Sequence, residues 1–231
     1  MRKIYVGVAT PSSGQTKMCY AISLAKMVAY FSNNRLLPDL EEQRMEFLSV
    51  EGSGISENRE ILTRNALAVP ELTHLLWIDD DMGFHWDTLH MLMARRQPIV
   101  ACNYRRRVPP GEFTASQVDG NGYIQVTETS SGLQEAYNCG FGFCLIERRV
   151  LEAVKPPRYI LSWNDTHQRY STEDFCFFSQ AREAGFPVYI DLDASKRVWH
   201  EGSIGYSWRG NYADILPKDM PLAPKAADAS T

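Results

Sequence analysis

Short apolar runs alternate with segments of helical periodicity along the first hundred residues. Apolar, β-prone runs predict strands at residues 3–9, 45–50, 74–78 and 98–103. Between them, apolar residues three and four positions apart predict helices at residues 15–31, 56–69 and 86–95. The apolar face of the first helix is expected at Met18, Ala21, Ile22, Ala25 and Val28. This order predicts an α/β fold, with a mixed, mostly parallel sheet and helices on both faces.

The second half of the chain is less regular. Residues 108–131 are rich in Gly, Pro, Ser and Thr, and Asn121-Gly122 predicts a hairpin turn. Further strands are expected at 143–146, 188–192 and 196–199, and helices at 147–154 and 172–184. We expect a single domain over 1–212, with halves at about 1–104 and 105–212, and a loose tail over 213–231.

Composition narrows the class of protein. The 231 residues are 44% hydrophobic and 23% charged, which is typical of a globular protein. The net charge of -4 disfavours a general nucleic-acid coat protein but leaves room for a local basic patch. No apolar run approaches the roughly 20 residues that a bilayer requires, so we expect no membrane insertion. The five scattered cysteines include no Cys-x-x-Cys pair and favour a reducing cytoplasm.

Three consecutive carboxylates, Asp79, Asp80 and Asp81, directly follow the third predicted strand. Ligands of open parallel sheets bind at the carboxyl ends of the strands. Adjacent carboxylates repel one another unless a cation neutralises them, and Mg²⁺ or Mn²⁺ takes such oxygen ligands together with substrate phosphates. The run therefore indicates either a divalent metal site or an acidic loop in water.

A second acidic pair, Glu173 and Asp174, opens the last predicted helix. One interpretation is helix capping, because Ser171 and Asp174 fit a capping pattern. The other is a general base whose pKa is lowered by the helix N-terminus, so that it stays ionised. His200 follows a predicted strand and is either a structural histidine or a late metal ligand.

Arginines form a third group with candidate chemistry. Arg59 and Arg64 lie on one predicted helix, and Arg105, Arg106 and Arg107 follow the fourth predicted strand. Arginine pairs well with phosphate, so these side chains suit a diphosphate or a nucleic-acid backbone. The chain contains no P-loop, no Gly-x-Gly-x-x-Gly after the first strand and no Gly-x-Ser-x-Gly elbow.

Taken in chain order, these features resemble the glycosyltransferases of the GT-A fold, family 2 in particular. That family has a nucleotide loop after the first strand, a helix ending in Arg-Asn, an Asp-x-Asp strand end, a Gly-rich strand, a Glu-Asp helix start, an Ala-Gly helix end and a late His. The matching positions are 8–11, Arg64-Asn65, 76–82, 139–146, Glu173-Asp174, Ala184-Gly185 and His200. The resemblance spans roughly residues 3–202, and the loop at 11–15 departs from the usual family wording.

The resemblance implies a GT-A-type, Rossmann-like fold and a metal-dependent, hexosyltransferase-like enzyme that takes a nucleotide diphosphate sugar, a UDP-sugar first of all, and inverts its configuration. Mn²⁺ or Mg²⁺ would be held by Asp79, Asp81 and His200. The base would be Asp174, with Glu173 as the alternative. The nucleotide-binding residues would be Thr10, Pro11, Glu51, Arg59, Arg64, Asp79 and Asp80. The acceptor-binding residues would be Gly140, Phe141, Gly142, Arg105, Arg106 and Trp208.

These residues leave the identity of the acceptor open. The sequences of residues 78–82 and 104–107 resemble those of small free-standing glycosyltransferases carried by bacteriophages. This resemblance implies that the protein acts in the cytoplasm of a bacterial host. Some of those relatives glycosylate hydroxymethylated pyrimidines, so modified duplex DNA is one candidate acceptor. A small molecule, a glycan or a protein is another. A module that binds a nucleotide sugar without turning it over is the third interpretation.

Overall fold

The computed structural model describes residues 2–52, 54–107, 111–165, 168–202, 205–208 and 210–211, so the predicted tail at 213–231 lies outside the described residues. The strands are β1 (Arg2–Ser12), β2 (Leu40–Glu51), β3 (His74–Ile78), β4 (Met82–Phe84), β5 (Ile99–Ala101), β6 (Leu133–Ala136), β7 (Phe143–Glu147), β8 (Ser162–Asn164), β9 (Arg169–Ser171), β10 (Val188–Asp191), β11 (Val198–Glu201), β12 (Gly205–Ser207) and β13 (Gly210–Asn211). The helices are α1 (Met18–Asn33), α2 (Ile55–Ala68), α3 (Thr88–Ala94), α4 (Arg148–Ala153), α5 (Glu173–Glu183) and α6 (Leu192–Ser195).

The main sheet has seven strands in the order β2-β1-β3-β7-β5-β10-β6. Strands β2, β1, β3, β5 and β10 run in one direction, whereas β7 and β6 run in the other. The predicted α/β class with a mixed, mostly parallel sheet is therefore confirmed. The antiparallel β7 lies between β3 and β5, so its first residues reach the same sheet edge as the last residues of β3.

Hydrophobic cores cover both faces of this sheet. Alternate residues of a strand point to opposite faces, and β3 shows this clearly. Leu75 and Trp77 join the core packed under α2, α4 and α5, whereas Leu76 and Ile78 join the core under α1, α3 and α6. All five residues of β3 are buried, as expected for a strand between two helical layers.

The packed face of α1 is not the one that the apolar spacing predicts. The buried residues are Tyr20, Ser23, Met27 and Phe31, whereas Met18 is 72% exposed and Ile22 is 48% exposed. Ser23 faces the core because its hydroxyl accepts a hydrogen bond from the Phe84 amide at 3.0 Å. A polar contact to β4 thus orients the helix.

Several elements differ from the sequence-based expectation. The edge strand β2 begins at Leu40 because it pairs with β1 along the whole length of that strand. Strands β4 and β6 and the β8–β9 hairpin have no counterpart in the apolar pattern, since each is only three or four residues long. The strand expected at 196–199 is wrong in its bounds, because α6 precedes it and β11 starts at Val198.

A second, four-stranded sheet joins the segment after the Asp run to the end of the described chain, in the order β13-β12-β11-β4. Trp199 pairs with Gly83 and His200 pairs with Met82. A Cβ atom on Gly83 would lie 2.1 Å from the Trp199 indole, so only glycine fits there. This pairing places His200 beside the residue that precedes β4.

Two further observations concern the whole described chain. None of the helices over the described residues is both long enough and apolar enough to cross a membrane. All five cysteines are free thiols.

Replacement of Asp191 tests the network at the junction of β10 and α6. The Asp191 carboxylate is fully buried, accepts bonds from Arg95 at 2.8 and 3.1 Å and caps α6 through two amides. We expect Asp191→Ala to lower the free energy of unfolding by about 3–5 kcal/mol in urea titrations, because it leaves a partly buried guanidinium without its main partner. Asp39→Ala removes a half-exposed partner of Arg96 and should cost at most about 1 kcal/mol. Equal losses in the two variants would contradict the assignment.

Candidate active site

The carboxyl ends of β1, β2 and β3 form one edge of the main sheet. Ser12 pairs with Glu51 across β1 and β2, and Ala9 pairs with Trp77 across β1 and β3. The predicted nucleotide-binding residues Thr10, Pro11, Glu51, Asp79 and Asp80 therefore come together at this edge. Thr10 and Pro11 are buried and Glu51 is exposed, and the Thr10 hydroxyl lies 2.6 Å from the Tyr20 hydroxyl.

Helix α2 brings one of its two candidate arginines to this edge. Arg59 lies on the buried face of the helix, whereas Arg64 is exposed. Five residues along a helix correspond to about 140° of rotation, so the two side chains point in different directions. Asn58, next to Arg59, donates hydrogen bonds to the Ser12 and Gly52 carbonyls and holds the ends of β1 and β2 against the helix. Arg64 and Asn65 are both exposed, so Arg59 is the candidate arginine of this helix that lies on its buried face.

The Arg59 guanidinium bridges two acidic segments of the chain. Its Nη2 donates to Asp79 at 2.9 Å and its Nε donates to Glu173 at 3.2 Å. The side chain is 3% exposed and lies over the rings of Trp77 and Phe141. Burial alone would lower the pKa of Arg59, but the charges of Asp79 and Glu173 outweigh it and raise that pKa. The end of β3 and the start of α5 are thus joined by one buried charge.

Asp81 has two different neighbours, a guanidinium and an imidazole. Arg107 Nη1 lies 2.6 Å from Asp81 Oδ2, and His200 Nε2 lies 3.2 Å from Asp81 Oδ1. Burial works to raise the pKa of Asp81, but His200 and Arg107 outweigh it and hold that pKa below its usual value. The backbone pairing of β4 and β11 continues to this point, since the Glu201 amide donates to the Asp81 carbonyl at 2.8 Å.

The donor atoms of Asp81 and His200 suit a divalent ion. His200 Nδ1 lies 3.1 Å from the Arg105 carbonyl, which can only accept, so Nδ1 carries a proton and Nε2 is the nitrogen that faces Asp81. Asp81 Oδ1 is buried and makes no hydrogen bond within the described part of the chain. A buried carboxylate oxygen facing an imidazole nitrogen is a pair of donor atoms that a metal ion would satisfy.

Asp79 does not complete this donor set. Within the described ranges, no group of three or more His, Cys, Asp or Glu side chains is arranged to hold a metal ion. The reason is local, because Asp79 Oδ1 is bound to Arg59 instead. Asp80 is also not part of this donor set. Its Oδ2 is buried with no hydrogen-bond partner among the described residues. Burial, together with the charges of Asp79 and Asp81, raises the pKa of Asp80.

Asp174 lies in the first turn of α5, next to the residue that Arg59 holds. Its Oδ1 accepts hydrogen bonds from the Phe175 amide at 2.7 Å and from the Thr172 hydroxyl. Burial raises the pKa of Asp174, and the charge of Glu173 raises it further. The lowered pKa expected from the helix N-terminus is therefore wrong, because loss of solvation outweighs the favourable helix end. A carboxylate with a raised pKa is a stronger proton acceptor.

The glycines at the start of β7 accommodate Tyr104. Cβ atoms on Gly140 and Gly142 would lie 2.2 and 2.6 Å from the Tyr104 phenol, whose hydroxyl accepts a bond from the Gly142 amide at 2.9 Å. The Tyr104 ring also meets the His200 ring edge to face. Phe141 is 1% exposed beneath Arg59, so its ring is not open to an acceptor. Packing thus explains the Gly-rich strand, and an acceptor role for 140–142 stays a prediction.

The basic stretch after β5 is engaged by the chain itself. Arg105 donates to the carbonyls of Trp208 and Gly111 and lies over the Phe113 ring. Arg106 lies over the Tyr123 ring. Trp208 packs against the core on the α2 side of the sheet. These contacts stabilise the segment, and the acceptor roles of Arg105, Arg106 and Trp208 stay predictions.

Comparison with known proteins identifies the fold. No family model matches the chain, and no curated protein matches it. The crystal structure of A197 from STIV superposes with a TM-score of 0.56 at 18% identity, covering 86% of both chains. The structure of GalNAc-T7 with UDP, GalNAc and Mn²⁺ superposes with a TM-score of 0.54 at 10% identity, covering 85% of this chain and 44% of that one. The chain has the GT-A glycosyltransferase fold, and it spans less than half of the GalNAc-T7 chain.

Replacement of Arg59 tests the bridge between Asp79 and Glu173. A lysine carries one compact ammonium and cannot hold two carboxylates in a fork. We expect Arg59→Lys to lower the free energy of unfolding by about 3–5 kcal/mol in chemical denaturation, because a buried cation keeps only one of its two carboxylate partners. Arg64→Lys changes an exposed residue of the same helix and should stay within about 0.5 kcal/mol of the wild type. Indistinguishable denaturation curves for the two variants would contradict a stabilising role for the Arg59 bridge.

Replacement of Asp174 tests the direction of its pKa shift. The folded state raises this pKa, so it binds the proton more tightly than the unfolded state, and the ionised carboxylate destabilises the fold above the raised pKa. We expect Asp174→Asn to be more stable than the wild type at neutral pH, with the difference shrinking as the pH falls through the pKa. Denaturation curves at several pH values measure this.

The matched control for Asp174→Asn is Asp119→Asn. Asn121 lowers the pKa of exposed Asp119, so this variant should show a small change of the opposite sign. A destabilised Asp174→Asn at neutral pH would contradict the assignment.

Proposed function

We propose that the protein is a metal-dependent glycosyltransferase that moves a sugar from a nucleoside diphosphate sugar to an acceptor hydroxyl. The observation that carries this proposal is the meeting of two acidic segments at one sheet edge, where Arg59 holds Asp79 and Glu173 together. Asp81, which pairs with His200, is two positions after Asp79, and Asp174 directly follows Glu173. A cation site and a base near a bound donor are what glycosyl transfer requires.

The donor would bind at the carboxyl edge of β1, β2 and β3. A UDP-sugar is the first candidate, and the fold shared with GalNAc-T7, whose structure holds UDP and Mn²⁺, supports it. Asp81 and His200 would hold Mn²⁺ or Mg²⁺. This ligand set lacks Asp79, which the sequence analysis includes, because Asp79 is bound to Arg59. When bound, the ion supplies positive charge against the diphosphate as it leaves. Arg107, beside Asp81, adds a second positive group there.

Asp174 would accept the proton of the acceptor hydroxyl. As that proton moves to Asp174, the hydroxyl oxygen forms a bond to the anomeric carbon and the bond from that carbon to the diphosphate breaks. A single displacement of this kind inverts the configuration at the sugar. Glu173 is a less suitable base, because its carboxylate is already bound to Arg59 at 3.2 Å. Glu173 instead orients α5 relative to β3.

Turnover of nucleotide sugars tests the proposal. The full chain is incubated with UDP-, GDP- and dTDP-sugars and Mn²⁺, and release of the nucleotide is measured. We expect release from at least one donor, its loss with a chelator and its recovery when Mn²⁺ is restored. Asp81→Asn should abolish release. Asp174→Asn should lower the transfer rate by about 10²–10⁴-fold once an acceptor is known.

The control for these variants is Asp119→Asn, an exposed aspartate outside the site, which should react at the wild-type rate. Release that is unaffected by chelation would contradict the metal role. A donor that raises the melting temperature without being turned over would instead identify a non-catalytic binding module.

A further inference from the structure

The β8–β9 hairpin presents two aromatic rings to solvent just ahead of the candidate base. Trp163 and Tyr170 are directly paired across the hairpin, and their rings meet edge to face with centroids 5.2 Å apart. Trp163 is 49% exposed and Tyr170 is 65% exposed. Ile160 and Leu161, on the approach to the hairpin, are also exposed. Exposed apolar side chains grouped in one segment of the chain indicate a candidate interaction site.

The two rings are held in place by contacts that do not bury them. Trp163 Nε1 donates to Asp165 Oδ1 at 2.9 Å, which fixes the indole and places a carboxylate beside it. The neighbouring Ser162 faces α5, with its hydroxyl 3.2 Å from the Cys176 sulfur. Alternate residues of a strand face opposite ways, so Trp163 and Tyr170 lie on the face turned away from that contact. The rings therefore have no role in packing the hairpin against α5.

The hairpin lies close to Asp174 along the chain. Tyr170 and Asp174 are four positions apart, which is at most about 14 Å of extended chain. Trp163 lies opposite Tyr170, at the roughly 5 Å separation of antiparallel partners. The backbone positions of Trp163 and Tyr170 are therefore no farther from that of Asp174 than the length of a short oligosaccharide.

We propose that Trp163 and Tyr170 form an acceptor subsite for a saccharide. A sugar ring has an apolar C–H face, which fits an exposed aromatic ring, and a rim of hydroxyls, one of which donates to Asp165. The carboxylates Asp165 and Asp174 along this path oppose a polyanion such as DNA. This inference rests on the proposed function and names the acceptor class, a glycan.

Saccharide binding to the full chain tests the subsite without requiring turnover. The probes are chitotetraose, cellotetraose, mannotetraose and maltotetraose, with binding measured by saturation-transfer NMR. We expect at least one probe to bind, and Trp163→Ala and Tyr170→Ala each to weaken it by about tenfold. Trp163→Phe and Tyr170→Phe keep a ring and should retain most of the affinity. Thermal melting checks that each variant is folded.

The matched control is Trp86→Ala, which removes a tryptophan of similar exposure that stacks on His85 next to β4. It should leave saccharide binding unchanged. The subsite is overturned if no probe binds, if both alanine variants bind as the wild type does, or if a short DNA duplex binds and the alanine variants weaken that binding instead. Saccharide binding that depends on the two rings supports the subsite whether or not donors are turned over, whereas absent donor turnover counts against the proposed function alone.

Discussion

One buried guanidinium joins the two halves of the candidate active site. Arg59 is 3% exposed and shares its charge between Asp79, at the end of β3, and Glu173, at the start of α5. Taking three charges out of water is unfavourable unless their geometry is good, so the arrangement constrains both segments strongly. The aromatic rings of Trp77 and Phe141 add a favourable surface for the cation. The distance between residues 79–81 and the candidate base Asp174 therefore depends on the Arg59 side chain.

The three adjacent aspartates have three different environments. Asp79 is bound to Arg59, whereas Asp81 is flanked by Arg107 and His200. Asp80 is held by its backbone, because its carbonyl accepts bonds from the Lys17 amide and the Thr16 hydroxyl. Residues 80 and 81 form a turn, closed by the Met82 amide donating to the Asp79 carbonyl at 3.1 Å, and this turn separates the three side chains before β4 pairs with β11. Identical residues in one motif thus take separate roles.

Local sequence patterns predict most of the helices and strands and indicate residues 79–81 as a candidate site. Contacts between residues far apart in the sequence determine which face of a helix is packed and which side chains reach the site. The apolar spacing of α1 indicated a helix and the wrong face, because a bond from Phe84 to Ser23 orients it. Arg59 and Arg64 are equivalent in the sequence, and only the packing of α2 on Trp77 separates them. His200 is a candidate in the sequence because it follows a predicted strand, whereas its position beside Asp81 depends on the three-residue strand β4. The fit of Tyr104 against Gly140 and Gly142 joins residues more than 35 positions apart, which no local spacing reports.

The balance of charge at the site argues for an additional cation. Five carboxylates meet there, those of Asp79, Asp80, Asp81, Glu173 and Asp174, against the two guanidinium groups of Arg59 and Arg107. The chain meets part of the excess by raising the pKa of Asp80 and of Asp174, each mainly through burial. A divalent ion at Asp81 and His200 would reduce the remaining repulsion, and a diphosphate arriving with it would face positive charge on two sides. The same excess of negative charge repels the diphosphate of a donor that arrives without a metal ion. Binding of the donor and binding of the ion would therefore be coupled.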